Sequence, residues 1–347
     1  MSPRACALRS AFALTHHCPA RPSPFPRTAL KNTQLDHPLL LYLLHRPVRT
    51  PFLDTAESMH NPYATTHHTK IRTGAMNTTL SNEEITSYRK NGYLAIDNLL
   101  DDRELSTWRE AVDQAVADIV AQDSASRDIR HNQAGAGYYQ KVFVQCVNLW
   151  KSHPAIKALV LDARLGQMAA QISGASGIRL FHDHALIKSP WANPTNFHID
   201  NPMDPYHSTQ ATMLWIALDD ATLQNGCLYF LPGSHKTSRY DTTGDLGQAG
   251  IGNLIADYPE WASIEPRPVE VKAGAGIFIS GMVAHAAGPN MTLNSRRAFA
   301  MLFMPEDATF NGHQSVLPDE IFHRLKIGDA INDDEHLPLL YSQDTTP

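Results

Sequence analysis

Cysteine is scarce in this chain: four residues in 347, at positions 6, 18, 146 and 227, with no CxxC spacing. That excludes a disulfide framework and predicts reduced packing thiols in an intracellular protein. A basic excess is also missing, because the formal charge is -6 and the sequence pI is near 6.3. Without a positive footprint, no nucleic-acid partner is expected. Long apolar runs are absent as well: the most apolar short stretch, Leu39 to Leu44, falls far below the ~20 residues that span a bilayer. No transmembrane helix and no membrane partner are expected. What remains is a chain with 43% apolar and 18% charged residues, a globular composition able to bury a sizeable core. The expected partner is a small-molecule substrate and the expected compartment the cytoplasm, and nothing in the sequence sets the oligomeric state.

Residues 1–75 differ from the rest. They hold nine of the 23 prolines, seven of the 18 histidines and nine Lys or Arg against three acids, a balance of +6. By subtraction, residues 76–347 hold 20 basic and 32 acidic side chains, or −12. The domain boundary is therefore placed at Met76. An Arg-rich, acid-poor start resembles an organellar transit peptide, but frequent proline breaks any sustained amphipathic helix, so a disordered or non-native leader is the preferred expectation. The pairs His16-His17 and His67-His68 have no fixed fold around them that would make a metal site.

After this leader, Ser81-Asn82-Glu83-Glu84 forms a capping box that predicts a helix over 82–90, ended by Asn91-Gly92. Tyr93 to Ile96 predicts a strand, Asp101-Asp102 a cap, and Leu105 to Val120 a longer helix. A third helix is expected from Pro154 to Gly174. From Ile178 onward the pattern becomes short, often alternating apolar runs at 178–188, 209–218, 227–231, 268–272, 276–280 and 297–304, separated by Gly, Pro and Asn turns. No helix between them is long enough for a parallel crossover, so no Rossmann-like sheet is expected. The expected fold is α+β: a double-stranded β-helix, that is a cupin-like jelly roll, with helices packed outside it.

The chemistry gathers in Phe197-His198-Ile199-Asp200, where two ligand-type side chains at i and i+2 share one face of an extended segment. Alone, in a chain with 18 histidines, such a tripeptide signifies little. A third ligand, His285, lies 85 residues beyond Asp200 on a late strand. Two histidines and one carboxylate on one octahedral face leave positions open for cosubstrate and oxygen, as in non-haem iron(II) oxygenases. After His285 come the turn Gly288-Pro289-Asn290 and Arg296, whose planar fork suits the distal carboxylate of a dicarboxylic cosubstrate. Strand parity groups Arg296 with Ala298, Ala300 and Leu302, and Arg297 with Phe299, Met301 and Phe303. Small neighbours mildly favour Arg296.

His198-Ile199-Asp200, the stretch Met213 to Asp220, Asn225-Gly226-Cys227-Leu228, and Leu231-Pro232-Gly233-Ser234-His235-Lys236 together resemble the phytanoyl-CoA dioxygenase family, as do His285, Gly288, Asn290, Thr292 and Arg296 at the family's spacing. The resemblance covers roughly residues 80–310. It implies a double-stranded β-helix, iron(II), 2-oxoglutarate and O2, with succinate and CO2 as coproducts, and it selects Arg296 over its neighbour. It also implies that Trp215 lines the cosubstrate and that Lys141 lies near it. One departure stands out: the family often has Ser two residues after the distal histidine, where this chain has Ala287. Relatives that halogenate lack the carboxylate ligand, so Asp200 favours hydroxylation of an unactivated C–H bond. Desaturation or rearrangement on the same scaffold, or a cupin-like metal-binding protein without catalysis, are the alternatives. His182-Asp183-His184 is a rival metal motif, read instead as pocket lining or as a hydrogen-bonded strand pair, His235 a turn-stabilising or substrate residue, and Asp219-Asp220 a cap of exposed backbone groups.

Overall fold

The computed structural model describes residues 79–122, 130–131 and 137–345. The proposed leader 1–75, its boundary at Met76, Cys6, Cys18 and the paired histidines at 16–17 and 67–68 lie outside the described residues.

Helix α1 (Asn82–Asn91) begins as its sequence dictates. Ser81 Oγ accepts from Glu84 N and the Glu84 carboxylate accepts from Ser81 N, closing the capping box. Gly92 ends it in the left-handed region at φ 85, where a Cβ would also lie 2.8 Å from Val283. Strand β1 (Tyr93–Ile96) follows directly. Helix α2 (Asp102–Gln122) has a capping box of its own, with Asp101 accepting from Glu104 N and Glu104 from Asp101 N. Strands β2 (Arg130–His131) and β3 (Val144–Val147) precede a short helix α3 (Leu149–Ser152). The single helix expected from Pro154 to Gly174 is two, α4 (Pro154–Val160) and α5 (Ala163–Ser173). The break has a local cause: Asp162 takes an extended conformation and its carboxylate caps Arg164 N, restarting the helix.

The remaining strands are β4 (Gly177–Lys188), β5 (Thr195–His198), β6 (Thr212–Ala217), β7 (Leu228–Phe230), β8 (Arg267–Val269), β9 (Gly276–Ser280), β10 (His285–Ala287), β11 (Arg296–Pro305) and β12 (Leu339–Ser342). Short helices α6 (Leu254–Asp257) and α7 (Asp319–Arg324) interrupt them. All pairings are antiparallel. The larger sheet runs β1-β9-β6-β11-β4-β3-β2 with β12 on β4, and the smaller β5-β10-β7-β8. Two antiparallel sheets facing each other with helices outside form the jelly roll expected from the sequence.

Parity along the central strands sorts the core into two layers. Leu214, Ile216, Phe278, Phe299, Met301 and Phe303 pack against the helices, with Trp108 tilted on Phe299 at 5.2 Å. Met213, Trp215, Ile277, Ala298, Ala300 and Leu302 face the smaller sheet. The bulky odd face of β11 therefore meets the helices and the small even face looks inward. One bulge breaks this alternation: the β11–β4 register shifts between Leu302 and Phe303, so that β4 carries an extra residue and Phe181 and His182 both face inward. Cys146 and Cys227 are free and buried, and burial pushes both thiols up to about 12, so they pack as inert apolar groups. No helix among the described residues is long and apolar enough to cross a membrane.

Candidate metal centre

In the smaller sheet His285, at the start of β10, stands directly opposite His198, at the end of β5. Asp200 follows where the chain leaves β5 for a 3-10 turn at Asn201–Met203. The ligand atoms of His198, Asp200 and His285 all lie within 4.8 Å of one another, the one such cluster among the described residues. His198 Nε2 is 3.3 Å from Asp200 Oδ1, and His285 Nε2 is 3.7 Å from Asp200 Oδ2. Each imidazole is oriented by its own strand: His198 Nδ1 donates to Asn196 O at 2.9 Å and His285 Nδ1 to Val283 O at 3.1 Å. Those bonds place the proton on Nδ1 and turn each Nε2 lone pair toward Asp200, as a metal ligand requires.

Electrostatics agree with the geometry. Burial alone would raise the Asp200 carboxyl, but the two imidazoles override it and hold Asp200 well below the usual carboxylate range. Burial, then the neighbouring His198, pushes His285 down to about 4, while Asp200 outweighs burial at His198 and raises it. One carboxylate can hold one proton between these rings, not two. A divalent cation satisfies all three groups together.

A cavity of about 250 Å³ opens beside the triad and runs between the sheets. The strand register defines its two ends. Arg296 pairs with Lys188, Ala300 with His184 and Trp215, and Leu302 with His182 and Met213. Arg296 thus stands at one end and His182 and Met213 at the other. Arg296 is 2% exposed, its guanidinium lies 5.3 Å from the Trp215 ring, and its Nε and Nη1 have no hydrogen-bond partner. A buried guanidinium with two uncommitted donors is built to receive an anion. Arg297 points the other way: it forms a two-pronged pair with Asp219 at 2.7 and 2.9 Å and reaches Asp113 at 2.6 Å.

The motif residues around Arg296 build its support. Asn290 is fully buried, donates to Lys188 O and Asn294 O, and accepts from Thr292 N and Oγ1. Gly226 adopts φ 94 with its Cα against Gly288, where a Cβ would lie 2.6 Å from Gly288 O and 2.7 Å from Lys188 Cδ. Lys188, which is not part of the cavity wall, was not apparent from sequence as part of this support. It is fully buried beside Arg296, its Nζ donates to Asn193 O at 2.7 Å, and burial followed by Arg296 pushes it down to about 7. A lysine closing the apolar run 178–188 at the parity of His182 and His184 was the available signal.

The other expected residues sort clearly. His182 and His184 both line the cavity, whereas Asp183 faces away and accepts from Leu149 N and Trp150 N. Tyr139 Oη donates to Gln145 Oε1, and Gln145 Nε2 then meets His184 Nδ1 at 2.9 Å, leaving His184 Nε2 without a partner. His235 contacts Arg89 O at 3.1 Å and Ser234 Oγ accepts from Ala284 N, so this motif anchors the strand that carries His285. Asp220 accepts from Ala273 N and Lys272 Nζ, the capping role expected. Lys141 lies apart: it is exposed in a 3-10 turn, its carbonyl accepts from Asn193 N, and it is not part of the cavity wall. Tyr139 of the same turn is.

The family described as phytanoyl-CoA dioxygenase (PhyH) matches residues 88–298. A methylphosphonate hydroxylase of Gimesia maris is 24% identical over 229 residues, 66% of this chain and 82% of that protein. Phytanoyl-CoA dioxygenase domain-containing protein 1 of Mus musculus is 36% identical over 98 residues, 28% of this chain and 34% of its own length. Among solved structures, the non-haem alpha-ketoglutarate-dependent carbocyclase SnoK from nogalamycin biosynthesis aligns with a TM-score of 0.63 and 26% identity, covering 78% of this chain and all of that one.

Proposed function

This chain belongs to the phytanoyl-CoA dioxygenase family, a 2-oxoglutarate-dependent non-haem iron oxygenase by that membership, and we propose that it hydroxylates a small organic molecule at an iron(II) ion held by His198, Asp200 and His285. The observation that carries the reading is the pairing of that cluster with Arg296, a residue of the same cavity wall whose buried Nε and Nη1 have no hydrogen-bond partner. Iron(II), 2-oxoglutarate and O2 supply the oxidation of an unactivated C–H bond, with succinate and CO2 released. The donor set suits them. Asp200 Oδ2 is buried without a hydrogen-bond partner, both Nε2 atoms lie close to the same carboxylate, and three protein ligands leave room for a chelating keto acid and oxygen.

The protein's own part is orientation and exclusion of water. Arg296 pairs with the far carboxylate of the keto acid, and the Trp215 ring beside the guanidinium keeps that salt bridge in a dry setting. Beyond the triad, Val147, Met213, Leu302 and Val316 form an apolar wall edged by His182, Asp204 and Ser315. That end receives the substrate. Its size, within a cavity of about 250 Å³ in all, suits a small molecule rather than a polymer.

A second reading has one specific support, the likeness to SnoK, which is a carbocyclase. Oxidation without oxygen insertion is then the outcome. The decisive experiment screens a small-molecule library for stimulated succinate release by the full chain with iron(II), and weighs the product by mass spectrometry. Gain of one oxygen atom supports hydroxylation, loss of two hydrogens supports ring closure or desaturation, and no succinate under any condition overturns both.

A further inference from the structure

Ala287 withholds the hydroxyl that the family often offers the cosubstrate two residues after the distal histidine, and the residue facing it across the sheet is a threonine. In the β5–β10 pairing Ala287 lies opposite Thr195, as His285 lies opposite His198. Two residues separate Thr195 from His198 but only one separates His285 from Ala287, so the register shifts and β5 bulges. The bulge has a consequence for side-chain direction. Strict alternation would put Thr195 and His198 on opposite faces, yet both line the cavity, while Asn196 donates to Asp245 O and Gln248 O and Phe197 packs in the core outside the smaller sheet.

Thr195 is 6% exposed, and its Oγ1 is buried with no hydrogen-bond partner. A hydroxyl in that position carries a desolvation penalty unless something answers it. Arg296, with its own uncommitted Nε and Nη1, lines the same cavity. Three buried polar atoms without protein partners thus belong to two residues of one cavity wall. Resting on the 2-oxoglutarate reading above, we infer that Thr195 binds the cosubstrate: its hydroxyl donates to the carboxylate that Arg296 holds, supplying from β5 the contact that Ala287 cannot supply from β10.

The test measures 2-oxoglutarate binding directly, by anaerobic titration of the full chain loaded with iron(II), reading the visible charge-transfer band. Thr195→Val removes the hydroxyl at nearly constant shape. It is expected to raise the apparent Kd about tenfold or more, a change of ~1.4 kcal/mol or above, with Thr195→Ser close to the unaltered protein. A Kd for Thr195→Val within about twofold of the unaltered chain overturns the assignment, because a hydrogen bond to a charged group is worth more than that. Ala287→Ser keeps the question open to refutation if Thr195→Val does not fold. With Thr195 already in place, a second hydroxyl should change the Kd by less than about threefold, whereas tightening by about tenfold would show the contact was missing. Failure of the unaltered chain to give any band would instead defeat the 2-oxoglutarate reading itself, a separate outcome.

Discussion

Arg296 and Arg297 are neighbours in sequence and face opposite sides of β11. The first is buried against Trp215 with two donors uncommitted, and the second is held by Asp219 and Asp113 on the helix side. Their substitutions should therefore separate binding from stability. Arg296→Ala is expected to abolish saturable 2-oxoglutarate binding while leaving the thermal midpoint close to that of the unaltered chain. Arg297→Ala should leave the Kd for 2-oxoglutarate nearly unchanged and cost roughly 1–3 kcal/mol of stability through its lost charge-assisted bonds. Isothermal titration and chemical denaturation of both variants check this, and equal loss of binding from the two would refute the division of roles.

The triad makes a prediction about metal as well as turnover. A cation bound by the folded chain alone stabilises it, by about 2.7 kcal/mol at a hundredfold excess over Kd. Adding iron(II) or a redox-inert substitute such as manganese(II) should raise the melting temperature, and a chelator should reverse the gain. His198→Ala, Asp200→Ala and His285→Ala should each remove both the metal-dependent shift and succinate formation. Elemental analysis after dialysis supplies the check: stoichiometric metal retained by His198→Ala would mean that the ion sits elsewhere.

Much of the fold is legible in the sequence because local signals and global fold agree. Capping boxes at Ser81 and Asp101, the Gly92 stop and the alternation of β6, β9 and β11 are short-range consequences of residue type. His198 and Asp200 form an i, i+2 pair within one segment, and Arg296 is singled out by its resemblance to the family's spacing from His285. What escaped were features set by pairing. The bulges at Phe181 and in β5 invert side-chain parity, so neither the inward turn of Phe181 nor Thr195 beside His198 could be read from alternation. The helix expected from 154 to 174 failed because one capping carboxylate at Asp162 outcompeted a continuous apolar pattern. Lys188 escaped because burial of a lysine depends on carbonyls, those of Val142 and Asn193, that its sequence neighbours do not announce.

Gly226 joins two motif segments that are distant in sequence. Its φ of 94 and its contact with Gly288 bring the turn after β6 against the turn that leads into Arg296, with the Lys188 stem alongside. Gly226→Ala places a Cβ 2.6 Å from a backbone oxygen, a contact that no flexible side chain can relieve. The expected cost is more than the ~1 kcal/mol of an ordinary left-handed alanine. Because the displaced backbone is that of Gly288, the 2-oxoglutarate affinity should weaken as well, in contrast to Arg297→Ala. Loss of stability with unchanged 2-oxoglutarate affinity would separate this turn from the Arg296 end of the cavity.

Asp183 tests whether the rival motif is structural. It sits between two cavity-lining histidines yet faces the helices, accepting from Leu149 N at 2.7 Å and Trp150 N at 2.9 Å at the start of α3. Asp183→Ala leaves two buried N–H groups without an acceptor, a cost of roughly 1–3 kcal/mol each. Burial pushes the Asp183 carboxyl up to about 7, against the pull of those two donors. The unfolded carboxyl titrates near ~3.9, so between that pH and about 7 the folded chain holds a proton that the unfolded chain has released. The contribution of Asp183 is therefore complete below the unfolded value and declines as pH rises through about 7. Asp183→Asn does not titrate, so the stability difference between the unaltered chain and this variant should shrink from acid to neutral pH and level off above. Denaturant midpoints measured across that window decide it. A constant difference would mean that the carboxyl stays ionised throughout, and a variant that folds normally but no longer binds metal would return Asp183 to the candidate ligands.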